Sequence, residues 1–74
     1  MRSDEKIRRL DQLIQALEGS AMVLEHLQAA RRYLLGASFG EYRSCLQFGL
    51  DSSFSIADRG VREDAKATLA FLLA

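Results

Sequence analysis

The chain contains no proline, and it has only one cysteine and one histidine among its 74 residues. The absence of proline favours long helices, because proline removes a backbone donor and breaks a helix interior. With Cys45 alone, an internal disulfide is excluded, and a zinc site built around His26 would need carboxylates for most of its ligands. A single unpaired cysteine is also typical of a reducing compartment.

The chain also lacks a net charge and a long apolar run. Ten Lys and Arg balance ten Asp and Glu, so no net field draws the chain to nucleic acid or to an anionic membrane. The N-terminal segment is charged where a signal peptide needs an apolar core, and no apolar stretch approaches the roughly 20 residues of a membrane span. We therefore expect a cytoplasmic protein that binds no nucleic acid and has no membrane span.

The length allows one small domain, which we assign to residues 1–74. A chain of this size buries only about 60% of the surface that its unfolded form exposes, so its stability is marginal. Small domains gain stability from disulfides, metals or other chains. Because the first two have no support in the composition, we expect association with another chain.

The strongest local signal is a turn near the middle of the chain. Gly36 follows the apolar pair that ends at Leu35, and a glycine at this place closes a helix in the left-handed conformation. Ser38 and Glu41 then match the S-x-x-E capping box at the start of the next helix. We expect an antiparallel helical hairpin with its only tight reversal here, and we expect Gly36→Val to disrupt it.

The first predicted helix covers about residues 4 to 35, with apolar residues spaced alternately three and four apart, as in a coiled coil. This stripe consists of Ile7, Leu10, Ile14, Leu17, Ala21 and Leu24, flanked by Leu13, Leu27 and Leu34. Its phase passes Gly19, so we predict one helix with a weak point there. The alternative ends a first helix at Glu18 and begins a second one after Ser20.

The second predicted helix continues to the C-terminus with its own apolar stripe. The stripe consists of Tyr42, Leu46, Leu50, Phe54, Ala57, Val61, Ala65, Thr68 and Leu72. Asp and Ser compete for backbone hydrogen bonds at 51–53, so we allow a kink or break there or at Gly60. If both Gly19 and Ser52 mark breaks, the alternative is a compact bundle of three or four helices.

A second set of apolar and small residues lies away from the leucine stripe. One helix partner cannot cover both sides of the first helix, and an uncovered apolar patch marks an interaction site. We predict that this set binds another chain: Met22, Val23, His26, Ala29, Ala30, Tyr33 and Phe48.

No catalytic or cofactor constellation stands out. The sequence GASFG at 36–40 matches the G-x-S-x-G nucleophile elbow, but that motif needs a strand before it and a histidine after it. Asp51 and Ser52 resemble only faintly a phosphopantetheine site, and the apolar residue after the serine is missing. No E-x-x-H pair supports a di-iron site. We expect neither enzymatic activity nor a cofactor or metal.

Two segments carry a family resemblance: LQAARRYL at 27–34 and EYRSCLQ at 41–47, joined by the glycine turn. With RLDQLI at 9–14, they resemble the small E-type co-chaperones of type III secretion needle subunits, over roughly residues 9 to 50. That family consists of short helical hairpins. The resemblance implies a cytoplasmic partner of a larger tetratricopeptide-like chaperone, which together with this chain holds the needle subunit before export.

The alternative function is a self-associating hairpin. Two copies would form a four-helix bundle that serves as an adaptor or regulator. In both cases we expect the isolated chain to associate, as a homodimer when no partner is present.

Overall fold

The computed structural model describes residues 3–74 as four α-helices and one short 3₁₀ turn. The helices are α1 (Ser3–Ala16), α2 (Ala21–Leu35), α3 (Phe39–Asp51) and α4 (Arg59–Leu73), and the 3₁₀ turn is Ser53–Ser55. No strand occurs in this part of the chain, so the all-α class is confirmed. The two long helices are not matched, because each is divided in two. Met1 and Arg2 of the predicted 1–74 domain lie outside the described residues.

The first break separates α1 from α2. The amide of Ser20 donates to the carbonyl of Leu17 at 2.8 Å, and α2 then begins with Val23 and Leu24 donating to the Ser20 carbonyl. The prediction of one helix from 4 to 35 is therefore wrong, and the alternative restart after Ser20 is the one observed. The break also changes the buried face, because Ala21 is exposed and Val23 is buried.

The turn between α2 and α3 lies where the sequence predicts it, but its conformation differs. The amide of Ser38 donates to the Tyr33 carbonyl at 2.8 Å, and the amide of Ala37 donates to the Leu34 carbonyl at 3.1 Å. This pattern is a Schellman motif, whose left-handed residue is usually glycine. Here that residue is Ala37, with φ 59°, whereas Gly36 has φ −87°. The assignment of the left-handed position to Gly36 is wrong.

The prediction of a capping box at this turn is also wrong. Ser38 does precede α3, but its side chain makes no capping hydrogen bond. Glu41 is exposed and makes no side-chain hydrogen bond in the described part of the chain. The backbone bonds of the Schellman motif, rather than these side chains, therefore hold the turn.

The second break separates α3 from α4, at the predicted weak stretch rather than at Gly60. The Ser53 hydroxyl donates to the Leu50 carbonyl at 2.7 Å, which is the competition for backbone groups expected of serine. Asp58 then caps α4, since its carboxylate accepts from the Val61 amide at 2.9 Å. Between Ser53 and Asp58 the buried residues are not those of the predicted stripe, because Phe54 is 75% exposed whereas Ile56 is buried.

Both breaks allow the outer helices to pack against the α2–α3 hairpin. The buried core consists of Leu10, Leu13, Leu17, Val23, Leu27, Ala30, Leu34, Tyr42, Leu46, Ile56, Ala65, Leu69 and Leu72. A helix over residues 4 to 35 would be about 48 Å long, whereas the longest dimension of the chain is 32 Å. The radius of gyration of 11.0 Å equals the roughly 11 Å expected for a globular chain of this length. The compact four-helix alternative is therefore the observed fold.

Charged side chains connect the outer helix α1 to its neighbours. Arg31 on α2 donates to the Asp11 carboxylate at 2.6 Å. The Arg9 guanidinium lies 4.5 Å from the centre of the Phe71 ring on α4.

Within residues 3–74, no helix is both long and apolar enough to cross a membrane.

Candidate protein-binding surface

One flank of α2 carries apolar and aromatic side chains on successive turns outside the core. Met22, His26, Ala29 and Tyr33 are spaced four, three and four residues apart, so they lie along one side of the helix. Met22 is 54% exposed and Tyr33 is 40% exposed, while His26 and Ala29 are half-buried. This row begins next to the first break and ends next to the turn.

Helix α3 extends this surface with one exposed aromatic residue. Phe48 is 56% exposed, and its ring stacks on His26 with centroids 5.7 Å apart and an interplanar angle of 29°. The next residue, Gly49, allows the close approach, because an added Cβ there would lie 3.1 Å from Leu27 Cδ2. We call the surface formed by Met22, His26, Ala29, Tyr33 and Phe48 the α2–α3 face.

Two residues predicted to bind a partner belong to the core instead. Val23 and Ala30 are fully buried within this chain, on the side of α2 that also buries Leu27 and Leu34. They are therefore not accessible to another chain in this fold. The other five predicted residues are those of the α2–α3 face, and their contact with a partner stays a prediction.

Two exposed charges of opposite sign border the face. Glu25 and Arg32 both lie on α2, seven residues apart, and both are exposed. In the described part of the chain neither forms an ion pair, unlike the adjacent Arg31, which pairs with Asp11. Sequence reasoning did not single them out together, although two opposite charges at heptad spacing beside an apolar row are a readable signal of a helix interface.

The free thiol of Cys45 lies next to this region and is not activated. Cys45 is half-buried, and burial raises its pKa, an effect that the charge of Arg32 partly opposes. A raised pKa lowers the fraction of thiolate, which is the reactive form. The thiol therefore has the character of a small apolar side chain.

Within residues 3–74, the ionisable and nucleophilic side chains are not grouped around a metal or a nucleophile. No group of three or more His, Cys, Asp and Glu in residues 3–74 is placed to hold a metal ion. Ser38 of the G-x-S-x-G sequence lies between two helices, without a strand. His26 instead stacks on Phe48.

A shallow groove of about 170 Å³ lies between α1 and α4, lined by Arg9, Gln12, Leu13, Ala16 and Thr68. Its only charged lining residue, Arg9, donates to the Glu5 carboxylate at 3.2 Å and covers the Phe71 ring. The positive charge of Arg9 is thus already paired, and the groove offers no free charge to an anionic ligand.

No protein-family model, curated protein or solved structure matches this chain. Its own geometry and the sequence resemblance described above are therefore the basis for assigning a function.

Proposed function

We propose that this chain is a non-enzymatic binding module that holds a helical partner on its α2–α3 face. The observation that carries the proposal is the exposed row of Met22, Tyr33 and Phe48 on one flank of the α2–α3 hairpin, whose inner side is buried in the core. Large exposed side chains that are grouped on one side mark an interaction site rather than a random surface.

The shape and chemistry of this face suit a helix. Apolar residues at every turn of α2 form a ridge, and helices pack by fitting such ridges into the grooves of another helix. Ala29 at the centre allows close approach, while Met22 adapts to irregular surfaces and Tyr33 adds a polar edge. A partner built of paired helices presents the complementary groove.

We further propose that the partner is a tetratricopeptide-like chaperone of a type III secretion system, and that the chain is its cytoplasmic co-chaperone. The resemblance of residues 27–34 and 41–47 to the E-type co-chaperones supports this choice. In that arrangement the chain stabilises the larger chaperone, which holds the secretion needle subunit before export. The α2–α3 hairpin, which contains both segments, is then the part that contacts the chaperone.

The test is co-expression of the chain with the helical-repeat chaperone and the needle subunit encoded in the same genome. We expect the three proteins to copurify as one complex during size-exclusion chromatography. Phe48→Asp should abolish the complex, because it places a charge in a contact that excludes water. Phe54→Asp is the matched control, since Phe54 is the more exposed phenylalanine and lies outside the α2–α3 face.

A second variant separates binding from folding. Ala29→Glu should prevent copurification while the free variant keeps the helix content of the wild type, measured by circular dichroism, because Glu is a good helix former at a half-buried position. Normal binding of both variants would show that the α2–α3 face is not the interface. If the chain forms a homo-oligomer and copurifies with neither the chaperone nor the needle subunit, the self-associating adaptor is favoured.

A further inference from the structure

We infer that a second copy of this chain covers the α2–α3 face when no other partner is bound, with the two α2 helices antiparallel and related by a two-fold axis midway between His26 and Ala29. This inference goes beyond the proposed function, because it does not depend on the identity of the secretion partner. It depends on the spacing and the charges of α2.

The apolar row has the spacing of a helix that pairs with another helix. Met22, His26, Ala29 and Tyr33 follow the four-three-four spacing of the contact positions in a coiled coil. In an antiparallel pair related by a two-fold axis, Met22 of one copy lies opposite Tyr33 of the other, and His26 lies opposite Ala29. Each large side chain then faces a partner, and the small Ala29 leaves room for the imidazole.

The charges beside the row select this orientation. Glu25 and Arg32 occupy equivalent flanking positions one heptad apart, and both are exposed and unpaired within residues 3–74. In the antiparallel pair, Glu25 of each copy approaches Arg32 of the other, which gives two identical ion pairs. A parallel two-fold pair would place Glu25 and Arg32 of the two copies on opposite sides of the interface, so neither ion pair could form.

The remaining surface does not oppose the pairing. The net charge is zero, so two copies do not repel each other at long range. On the opposite flank of α2, Arg31 forms an ion pair with Asp11 of α1, so α1 lies beside that flank. On the α2–α3 face, Met22 and Tyr33 remain exposed to a second copy.

Sedimentation equilibrium of the full chain tests the pairing. We expect the wild type to dimerise at micromolar concentration, and we expect Glu25→Arg and Arg32→Glu each to weaken the dimer about tenfold, since exposed ion pairs have small energies and each change affects two of them. Asp64→Arg and Arg59→Glu on α4 are matched controls, because they change the charge equally at exposed positions.

Mixing the two weakened variants gives the sharpest result. Across a two-fold antiparallel pair, the arginines at 25 and 32 of one variant meet the glutamates at 25 and 32 of the other. We therefore expect the mixture to form a heterodimer tighter than either variant alone, while circular dichroism shows equal helix content throughout. A wild type that remains monomeric, or a mixture no tighter than its components, would overturn the inference.

Disulfide trapping distinguishes the two orientations, in a Cys45→Ser background. Chains with Met22→Cys and chains with Tyr33→Cys should crosslink to each other when mixed under oxidising conditions. Met22→Cys alone should not crosslink, because the two sites are then about 16 Å apart along the helix axis, well beyond disulfide reach. Efficient crosslinking of Met22→Cys to itself would indicate a parallel pair and overturn the antiparallel one.

Discussion

Gly49 on α3 lies so close to Leu27 on α2 that a Cβ added to it would come within 3.1 Å of Leu27 Cδ2. Few real contacts of a Cβ atom are this short, and Leu27 is fully buried, so it has little room to move. The distance between the two central helices is therefore set by the absence of a side chain at 49. The stacking of His26 on Phe48, one residue away, depends on the same spacing.

We predict that Gly49→Ala destabilises the protein by about 1–2 kcal/mol, because the overpacking outweighs the gain in helix propensity. Gly40→Ala is the matched control within α3, since a Cβ there meets nothing within 4 Å. Urea denaturation followed by circular dichroism measures both. Equal stability of the two variants would show that Leu27 accommodates the added methyl group.

The turn between α2 and α3 provides a stabilising prediction. Ala37 has a positive φ of 59°, a conformation that costs L-residues about 1–2 kcal/mol and glycine almost nothing. Ala37→Gly should therefore raise the free energy of unfolding by about 0.5–1 kcal/mol, after the larger entropy of the unfolded glycine chain is subtracted.

The control for that prediction is the preceding glycine. Gly36 has φ −87°, and an added Cβ would lie 3.5 Å from the Arg32 carbonyl oxygen, which is an ordinary contact. Gly36→Ala should change stability by no more than about 0.5 kcal/mol. This small expected effect replaces the expectation from the sequence that a side chain at 36 disrupts the turn. A large loss of stability in Gly36→Ala would support the original expectation.

The sequence predicted the helical class and the position of this turn, because a glycine between two apolar periodic segments is a strong local signal. It did not predict which residue becomes left-handed. Gly36 and Ala37 are adjacent, and the choice depends on where α2 ends. Because α2 continues to Leu35, the Schellman hydrogen bonds place Ala37, not Gly36, in the left-handed position.

The two breaks show why the long helices were predicted wrongly. The apolar phase through Gly19 favours continuity, but a hairpin of two long helices leaves much apolar surface in water. Breaking at Gly19 and Ser52 lets α1 and α4 bury Leu10, Leu17 and Leu69 against the hairpin, which outweighs the loss of a few helical hydrogen bonds. Such tertiary burial is not visible in the local pattern.

The same effect limited the prediction of the binding surface. Six residues of α2 away from the predicted stripe are expected from the sequence to bind a partner, but two of them, Val23 and Ala30, lie on the buried side of the helix. The other four, together with Phe48, form the α2–α3 face. Periodicity could not show where the other helices of the chain would pack, and contact of these five residues with a partner stays a prediction.

Asp58 and Ser38 both precede helices, and we predict that only the removal of the Asp58 side chain lowers stability clearly. The Asp58 carboxylate accepts from the Val61 amide at 2.9 Å, so Asp58→Ala should cost about 1 kcal/mol. Ser38 makes no side-chain capping bond, so Ser38→Ala should stay within about 0.5 kcal/mol of the wild type. Thermal melting of both variants is the measurement. A larger loss of stability in Ser38→Ala would show that the Ser38 side chain caps α3 after all.

The hydroxyl of Tyr42 is the one buried side-chain polar atom in residues 3–74 that has no hydrogen-bond partner. The side chain is buried in the core, and the Lys6 ammonium lies 5.8 Å from the ring centre. A buried hydroxyl without a partner costs about 1–3 kcal/mol of desolvation. Tyr42→Phe should therefore raise the free energy of unfolding by about 1 kcal/mol at neutral pH, whereas Tyr33→Phe, at the exposed tyrosine, should change it little.

The pH dependence of stability gives an independent test of the same residue. Burial raises the pKa of Tyr42, an effect that Arg43 partly opposes, so the folded chain holds this proton more tightly than the unfolded chain does. The resulting stabilisation is complete below the ordinary tyrosine pKa, and it is lost as the pH rises through that value to the raised pKa of the folded state. Wild type and Tyr33→Phe should lose stability over this alkaline range by more than Tyr42→Phe does, as measured by urea denaturation at a series of pH values. Identical alkaline profiles for Tyr42→Phe and wild type would show that the Tyr42 hydroxyl reaches solvent.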